Sequence, residues 1–324
     1  MLEFLTMFVL IIDATLRVST PLILAALAGL FAERSGVFDI ALEGKMLGAA
    51  FAAGAVAAVT GSAWLGLGAA ILTSVAFSMV HAYACVTHQG NQIISGMALN
   101  ILIAGLAPTL GLAWFSLGGQ TPALGDGARF RPITLPFADA VADVPVLGEI
   151  YSEIISGHNI FVYITLAAVP ITAWFLYRSR FGLRLRAVGE NPEAVDTAGI
   201  NVYWMRYQAL IVTGVLCGIA GAYLSTGQNA AFIRNMTAGQ GFIALAALIF
   251  GKWRPVPTML ACFLFAFADA VQARLQGVDL PIVGVIPVQF VDALPFVLTV
   301  VILAGFIGKS VAPKAGGRPY VKER

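Results

Sequence analysis

Long stretches without charge dominate this chain. No Asp, Glu, Lys or Arg occurs from Met46 to Gly125. A soluble domain cannot cover that much continuous apolar sequence, whereas a bilayer accommodates it. The pattern predicts about nine spans, near 8–32, 37–60, 63–86, 93–116, 159–177, 208–227, 239–251, 257–276 and 293–308. Two of them are irregular. The stretch 239–251 would reach only about 20 Å as a helix, short of a ~30 Å hydrocarbon core, and it follows a polar run with Gln228, Asn229, Arg234 and Asn235. The stretch 37–60 opens on Asp39 and Glu43, which the i,i+4 spacing puts on one helical face. Short or broken segments in both halves point to a transport site built from half-helices. The expected fold is all-α: a polytopic integral membrane protein of about nine transmembrane helices, in one transmembrane domain over residues 1–324.

Charge then orients the spans. Of 324 residues, 59% are hydrophobic and 11% charged, and the net charge of +2 identifies no partner because the charges are sorted by loop. Loop 178–207 holds Arg178, Arg180, Arg184, Arg186 and Arg206. The tail holds Lys309, Lys314, Arg318, Lys322 and Arg324, and the turn after Gly251 holds Lys252 and Arg254. Loop 117–158 has Arg129 and Arg131 against Asp126, Asp139, Asp143, Glu149 and Glu153. With an odd number of spans, the positive-inside rule makes 178–207 and the C-terminus cytoplasmic and puts 117–158 and the N-terminus outside. No cleavable signal peptide is expected, since Asp13 and Arg17 follow residues 4–12 and no basic segment precedes them. Cys85, Cys217 and Cys262 fall in spans without ligand spacing and read as packing residues.

Loop 178–207 is unusually rich for such a chain. Its arginines lead into a Gly189-Glu-Asn-Pro192 turn and a short helix, which Asn191 caps and Pro192 begins. Glu193 and Asp196 sit near the positive end of that helix dipole, and Gly199 ends the helix. It is too short and polar to cross a bilayer and belongs at the cytoplasmic surface. It is either a docking surface for a soluble partner or an ordinary positive-inside loop.

Polar groups inside a membrane are costly and few. Asp39 and Glu43 either face a cavity or partner subunit, or pair with Arg34 or Lys45 at the inner interface; the interfacial role is the favoured one. Asn100, clustered with Asn91, Gln92 and Ser95, can line a path or tie helices together. Asp269 would pair with Arg274 or a backbone group. His81 and His88 lack company at ligand spacing, so no metal site is expected. The glycines Gly214, Gly218 and Gly221 suit close helix packing. No nucleophile elbow or His-Glu-x-x-His motif is present. Gly308-Lys309-Ser310 is not a phosphate-binding loop, because Leu303 stands where the first glycine is required. An ATP-driven process would need its nucleotide site on another polypeptide.

Five ordered stretches carry a family likeness: Glu33-Arg-Ser-Gly-Val-Phe-Asp-Ile-Ala-Leu-Glu-Gly44, Asn91-Gln-Ile-Ile-Ser-Gly-Met-Ala-Leu-Asn100, Phe181-Gly-Leu-Arg-Leu-Arg-Ala-Val-Gly-Glu-Asn-Pro192, Ala198-Gly-Ile200 and Thr237-Ala-Gly-Gln-Gly-Phe-Ile-Ala-Leu-Ala-Ala247. Through them the chain resembles the permease subunits of bacterial ABC importers in the branched-chain amino acid and ribose permease superfamily. It is most similar there to permeases for nucleosides and simple sugars. Glu193-Ala-Val-Asp-Thr-Ala-Gly199 also looks like the EAA loop that docks on the ATPase, with Val195 replacing the second alanine. Asp39 stands where asparagine is expected, and Lys45 where methionine is commoner.

The resemblance implies a division of labour. Two permease chains, usually different paralogues, form the path and dock two cytoplasmic ABC ATPase subunits. Those subunits use ATP and Mg, and this chain binds no cofactor. A periplasmic or lipid-anchored substrate-binding protein delivers the substrate at the inner membrane of a bacterium, and no nucleic acid takes part. Arg186, Glu190, Asn191, Pro192, Glu193, Asp196 and Gly199 would form the ATPase-coupling surface of loop 178–207. Asp39, Glu43, Asn91, Gln92, Asn100, Gln228, Asn229 and Asn235 are the translocation-path candidates. Their neutral amides suit an uncharged hydroxylated ligand, a description that nucleosides and sugars both satisfy; the resemblance ranks purine or related nucleosides first, then pentoses, hexoses and riboflavin-like molecules. The competing class is an ion-coupled secondary transporter with Asp39, Glu43 or Asp269 as proton site. Collapsing the proton gradient at constant ATP separates the two.

Overall fold

The computed structural model describes residues 2–136, 148, 151–275, 279–280, 284–285, 297 and 311–322. The main helices are α1 (Leu2–Arg34), α2 (Leu42–Thr60), α3 (Ala63–Ala82), α4 (Gln92–Phe115), α5 (Ile160–Arg178), α6 (Arg180–Glu190), α7 (Pro192–Thr197), α8 (Val202–Ala222), α9 (Gln240–Phe250) and α10 (Pro255–Leu275). Both α3 and α8 continue into a π-helical turn, Tyr83–Thr87 and Tyr223–Gln228. The only strands among the described residues are β1 (Asp279–Leu280) and β2 (Gly284–Val285), paired antiparallel with Asp279 opposite Val285. Seven helices among the described residues are long and apolar enough to cross a membrane, and α9 is a shorter apolar one. The protein is a polytopic, all-α membrane protein. The expected span at 293–308 lies outside the described residues except for position 297.

Helix starts follow from local chemistry. Asn91, Asn159, Ser179, Asn191 and Asn201 each accept a hydrogen bond from a backbone N–H in the first turn of α4, α5, α6, α7 and α8, supplying a partner for a donor the helix cannot satisfy itself. Two expectations change. The second span begins at Leu42, leaving 35–41 non-helical. Loop 178–207 is two helices followed by an early start of α8 at Val202. The arginine-rich stretch folds because Gly182, Leu185, Val188 and Gly189 are buried on one face of α6 while Arg180 and Arg184 stay exposed.

The Ala- and Gly-rich α2 is buried along most of its length and packs against α3, α4 and α8. Small residues also let α8 approach α3. A Cβ on Gly214 would lie 2.7 Å from the Cα of Val75, and one on Gly218 2.6 Å from that of Ile71, so contact is backbone to backbone. Around α1 pack α8, α9 and α10.

The connections collect at two ends. At one, Thr121 donates to Phe232 (3.2 Å), Phe130 to Thr226 (2.9 Å) and the Asn159 amide to Phe130 (2.6 Å). At the other, α1 ends beside Trp253, Gly189 and Ala315. The turn with Lys252 and Arg254, the α6–α7 pair and the tail 311–322 therefore gather at the same end of the bundle.

Candidate functional site

Segment 35–41 leaves the helical ladder between two spans, where free backbone polar groups are expensive. Side chains from other elements supply the missing partners. Phe38 N donates to Gln92 Oε1 (2.5 Å), and the Asn100 amide donates to Ile40 O (3.0 Å) while accepting from Gly44 N (2.8 Å). Asp39 Oδ1 accepts from Ala41 N (3.1 Å), and Asp39 Oδ2 pairs with Lys45 Nζ, both side chains being fully inaccessible. His81 stands 3.9 Å from Asp39, with Nδ1 3.0 Å from Ser95 Oγ and Nε2 3.3 Å from Phe38 O. This is a polar knot around a bent backbone.

Glu43, in the first turn of α2, points elsewhere. Its carboxylate accepts from Thr237 Oγ1 (2.6 Å), Gly239 N (2.8 Å) and Gly241 N (2.7 Å). It thereby fills the N-terminus of α9, where unpaired N–H groups and the helix dipole favour an anion. The far end of α9 is tied to the same stretch of chain. Trp253 Nε1 donates to Glu33 Oε2, and Arg34 donates to Trp253 O through Nη2 (2.6 Å) and Nε (3.1 Å). Pairing of Glu43 with Arg34 or Lys45 is thus not what forms. Lys45 is taken by Asp39, Arg34 by Trp253, and Glu43 by α9. Asp269 and Arg274 form no ion pair among the described residues.

The remaining path candidates are scattered. Asn91 is exposed and caps α4. Gln228 lines a cavity of about 440 Å³ at the 117–132 end, with Arg17, Asp126, Arg129, His158 and Tyr223. Asn229 donates to Leu224 O (2.9 Å), and Asn235 is exposed with φ 58°. The structure brings Asp39, Gln92 and Asn100 together around one backbone segment. It leaves Gln228, Asn229 and Asn235 on a separate connection.

The opposite end carries the charged surface. Asn191 closes α6 by donating to Ala187 O (2.9 Å) and opens α7 by accepting from Ala194 N (3.1 Å). Val195 anchors α7 in the core, while Glu190, Glu193 and Gly199 are exposed. Asp196 lies 3.5 Å from Lys322, Arg186 stacks 4.8 Å over the Tyr177 ring, and Gly199 has φ 80°. The tail completes this surface: Ala315 N donates to Gly189 O (2.9 Å), and Tyr203 Oη to Tyr320 O (3.3 Å). A cleft of about 310 Å³ separates Glu190–Glu193 from Lys314, Arg318 and Tyr320. Burial, then the neighbouring Asp196, push the Tyr320 hydroxyl up to about 12. Arg206, counted by sequence among the basic loop residues, is buried and donates to Ser35 O (3.2 Å) and Arg318 O (3.5 Å).

Sequence reasoning missed Glu33, Trp253, Thr237, Gly189 and the tail as parts of the site. The Thr237-x-Gly239 step before α9 signals a helix start, but nothing local shows that a carboxylate from α2 would cap it.

Residues 11–303 match the family model described as branched-chain amino acid transport system / permease component. The chain is 39% identical over 321 residues to the guanosine ABC transporter permease protein NupQ of Bacillus subtilis (strain 168), covering 97% of each. It is 37% identical to the nucleoside ABC transporter permease protein NupC of Lactococcus lactis subsp. cremoris (strain MG1363), over 97% of this chain and 98% of that one. It is also 36% identical to the putative glucose ABC transporter permease protein TsgC13 of Haloferax volcanii, over 91% and 90%.

Proposed function

Given that the chain belongs to the family of permease components of branched-chain amino acid transport systems, we propose that it is the membrane-spanning permease subunit of an ATP-binding-cassette importer for nucleosides or simple sugars. The observation that carries this reading is end-to-end similarity to permeases named for guanosine, nucleosides and glucose. A capped, charged helix pair at one end of the bundle supports it. On this reading α6 and α7 dock a cytoplasmic ATPase, a second permease chain completes the path, and a substrate-binding protein delivers at the outer face. Lys and Arg gathered at the α7 end favour that end as cytoplasmic.

Asp39 is paired with Lys45 and Glu43 holds three donors, which counts against either as a proton-coupling carboxylate. The test is reconstitution in proteoliposomes with the ATPase, the second permease and the binding protein. The chain alone should hydrolyse no ATP above background, because it lacks a phosphate-binding loop. The complete system should take up guanosine or glucose with ATP and keep doing so when the proton gradient is collapsed. Uptake that follows the proton gradient at constant ATP would sink the reading.

A further inference from the structure

We propose that residues 33–43 form the mechanical linkage between the coupling helices and α9, with Glu43 as its output. This rests on the importer reading above. Three observations converge. First, the input: Gly189 of α6 packs directly on the backbone of Arg34 and Gly36, so closely that a Cβ there would have no room. Arg206 and Ala315 close on Gly36 from the other sides, at 3.1 and 3.3 Å from where its Cβ would be. A displacement of α6 is therefore passed directly to the end of α1.

Second, the segment cannot yield quietly. Backbone that is neither helix nor strand normally absorbs movement, but this stretch is held by Gln92, Asn100, His81 and the Asp39–Lys45 pair. It has no slack.

Third, the output: α9 is clasped at both ends by one stretch of chain. Glu43 holds its N-terminus through Thr237, Gly239 and Gly241, while Glu33 and Arg34 hold Trp253 just past its C-terminus. A helix of 11 residues, about 16 Å long, so clasped moves as a body with its holder. Closure of an ATPase pair against α7 would reach α9 through the bent segment, and Glu43 is the positioning residue for its N-terminal end.

The experiment places one thiol at each end of the linkage in the reconstituted complex. Glu193→Cys reports docking by its protection from a maleimide when the ATPase binds. Phe242→Cys, at a position 43% exposed on α9, carries a nitroxide whose spectrum reports movement. Cys85, Cys217 and Cys262 are buried, so the added thiols dominate labelling. Protection at 193 together with a spectrum at 242 that differs between nucleotide-free and vanadate-trapped states is expected. Glu43→Gln should leave the protection intact and cut the nucleotide response at 242 about fivefold or more. If Glu43→Gln fails to assemble, Thr237→Val, which removes one bond of the clasp, decides in its place. Protection at 193 with no nucleotide response at 242, or a response unchanged in these variants, overturns the linkage and leaves the importer reading standing. No protection at 193 removes the docking claim and the linkage with it.

Discussion

Glu33 and Trp253, 220 positions apart in sequence, meet through one hydrogen bond from the indole N–H to the carboxylate. Both are nearly inaccessible, at 3% and 5% exposure, so no water replaces that donor. The contact brings the last turn of α1 to the turn between α9 and α10. A buried carboxylate is tolerated here because it is partnered.

Trp253→Phe keeps an aromatic ring but deletes the donor along with part of the indole's buried volume. It should destabilise the protein by about 1–3 kcal/mol, the cost of an unsatisfied buried group. Thermal unfolding in detergent measures it, and an unchanged midpoint would show the bond to be dispensable.

Asp39 and Lys45 call for a double-mutant cycle. Asp39→Asn or Lys45→Met alone leaves one unpaired buried charge and should cost about 3–5 kcal/mol, whereas the double variant should lie within about 1 kcal/mol of the parent. Losses that simply add would mean that the two charges are not coupled.

Asp126 and Glu193, both exposed, test orientation. Asp126→Cys should react with a membrane-impermeant maleimide on intact cells, and Glu193→Cys only after permeabilisation. The reverse pattern would invert the topology and remove the docking argument.

For the docking surface, the paired change Glu193→Lys with Asp196→Lys is the sensible variant, since one exposed ion pair is worth only about 0–1 kcal/mol. It should weaken co-purification of the ATPase while the spans stay folded. Gly199→Val adds a β-branched residue at φ 80°, at a cost of roughly 1–2 kcal/mol in backbone strain, and should weaken docking through the turn after α7. Full recovery of the ATPase with both variants would reduce α6–α7 to a positive-inside anchor.

How far these features can be read from sequence depends on their range. The spans, the Asn191 cap, Pro192 at the start of α7 and the close packing at Gly214 and Gly218 are legible because each depends on a few neighbouring residues or on bulk hydropathy. The irregularity of the 37–60 stretch is legible, but the point at which its helix begins is not: hydropathy does not distinguish helical from bent backbone when both are buried. The arginines of α6 read as loop because three cations in seven residues, 180–186, mask the short apolar face made by Leu185 and Val188. The partners of Glu43, Glu33 and Arg206 were illegible for a simpler reason. They lie 198, 220 and 171 positions away at their longest separations, and one sequence carries no record of such pairings.

The tail 311–322 has a consequence for biosynthesis. Ala315, Tyr320 and Lys322 reach the α6–α7 surface only after α10 has been made, because they follow it in the chain. Until then Gly189 O lacks the Ala315 donor and Asp196 lacks Lys322. The face proposed to receive the ATPase is therefore finished only after α1 to α10 have been synthesised, and a chain cut before Ala315 would present an incomplete one. Recruitment of the motor would in that way follow synthesis of the helices it is proposed to move.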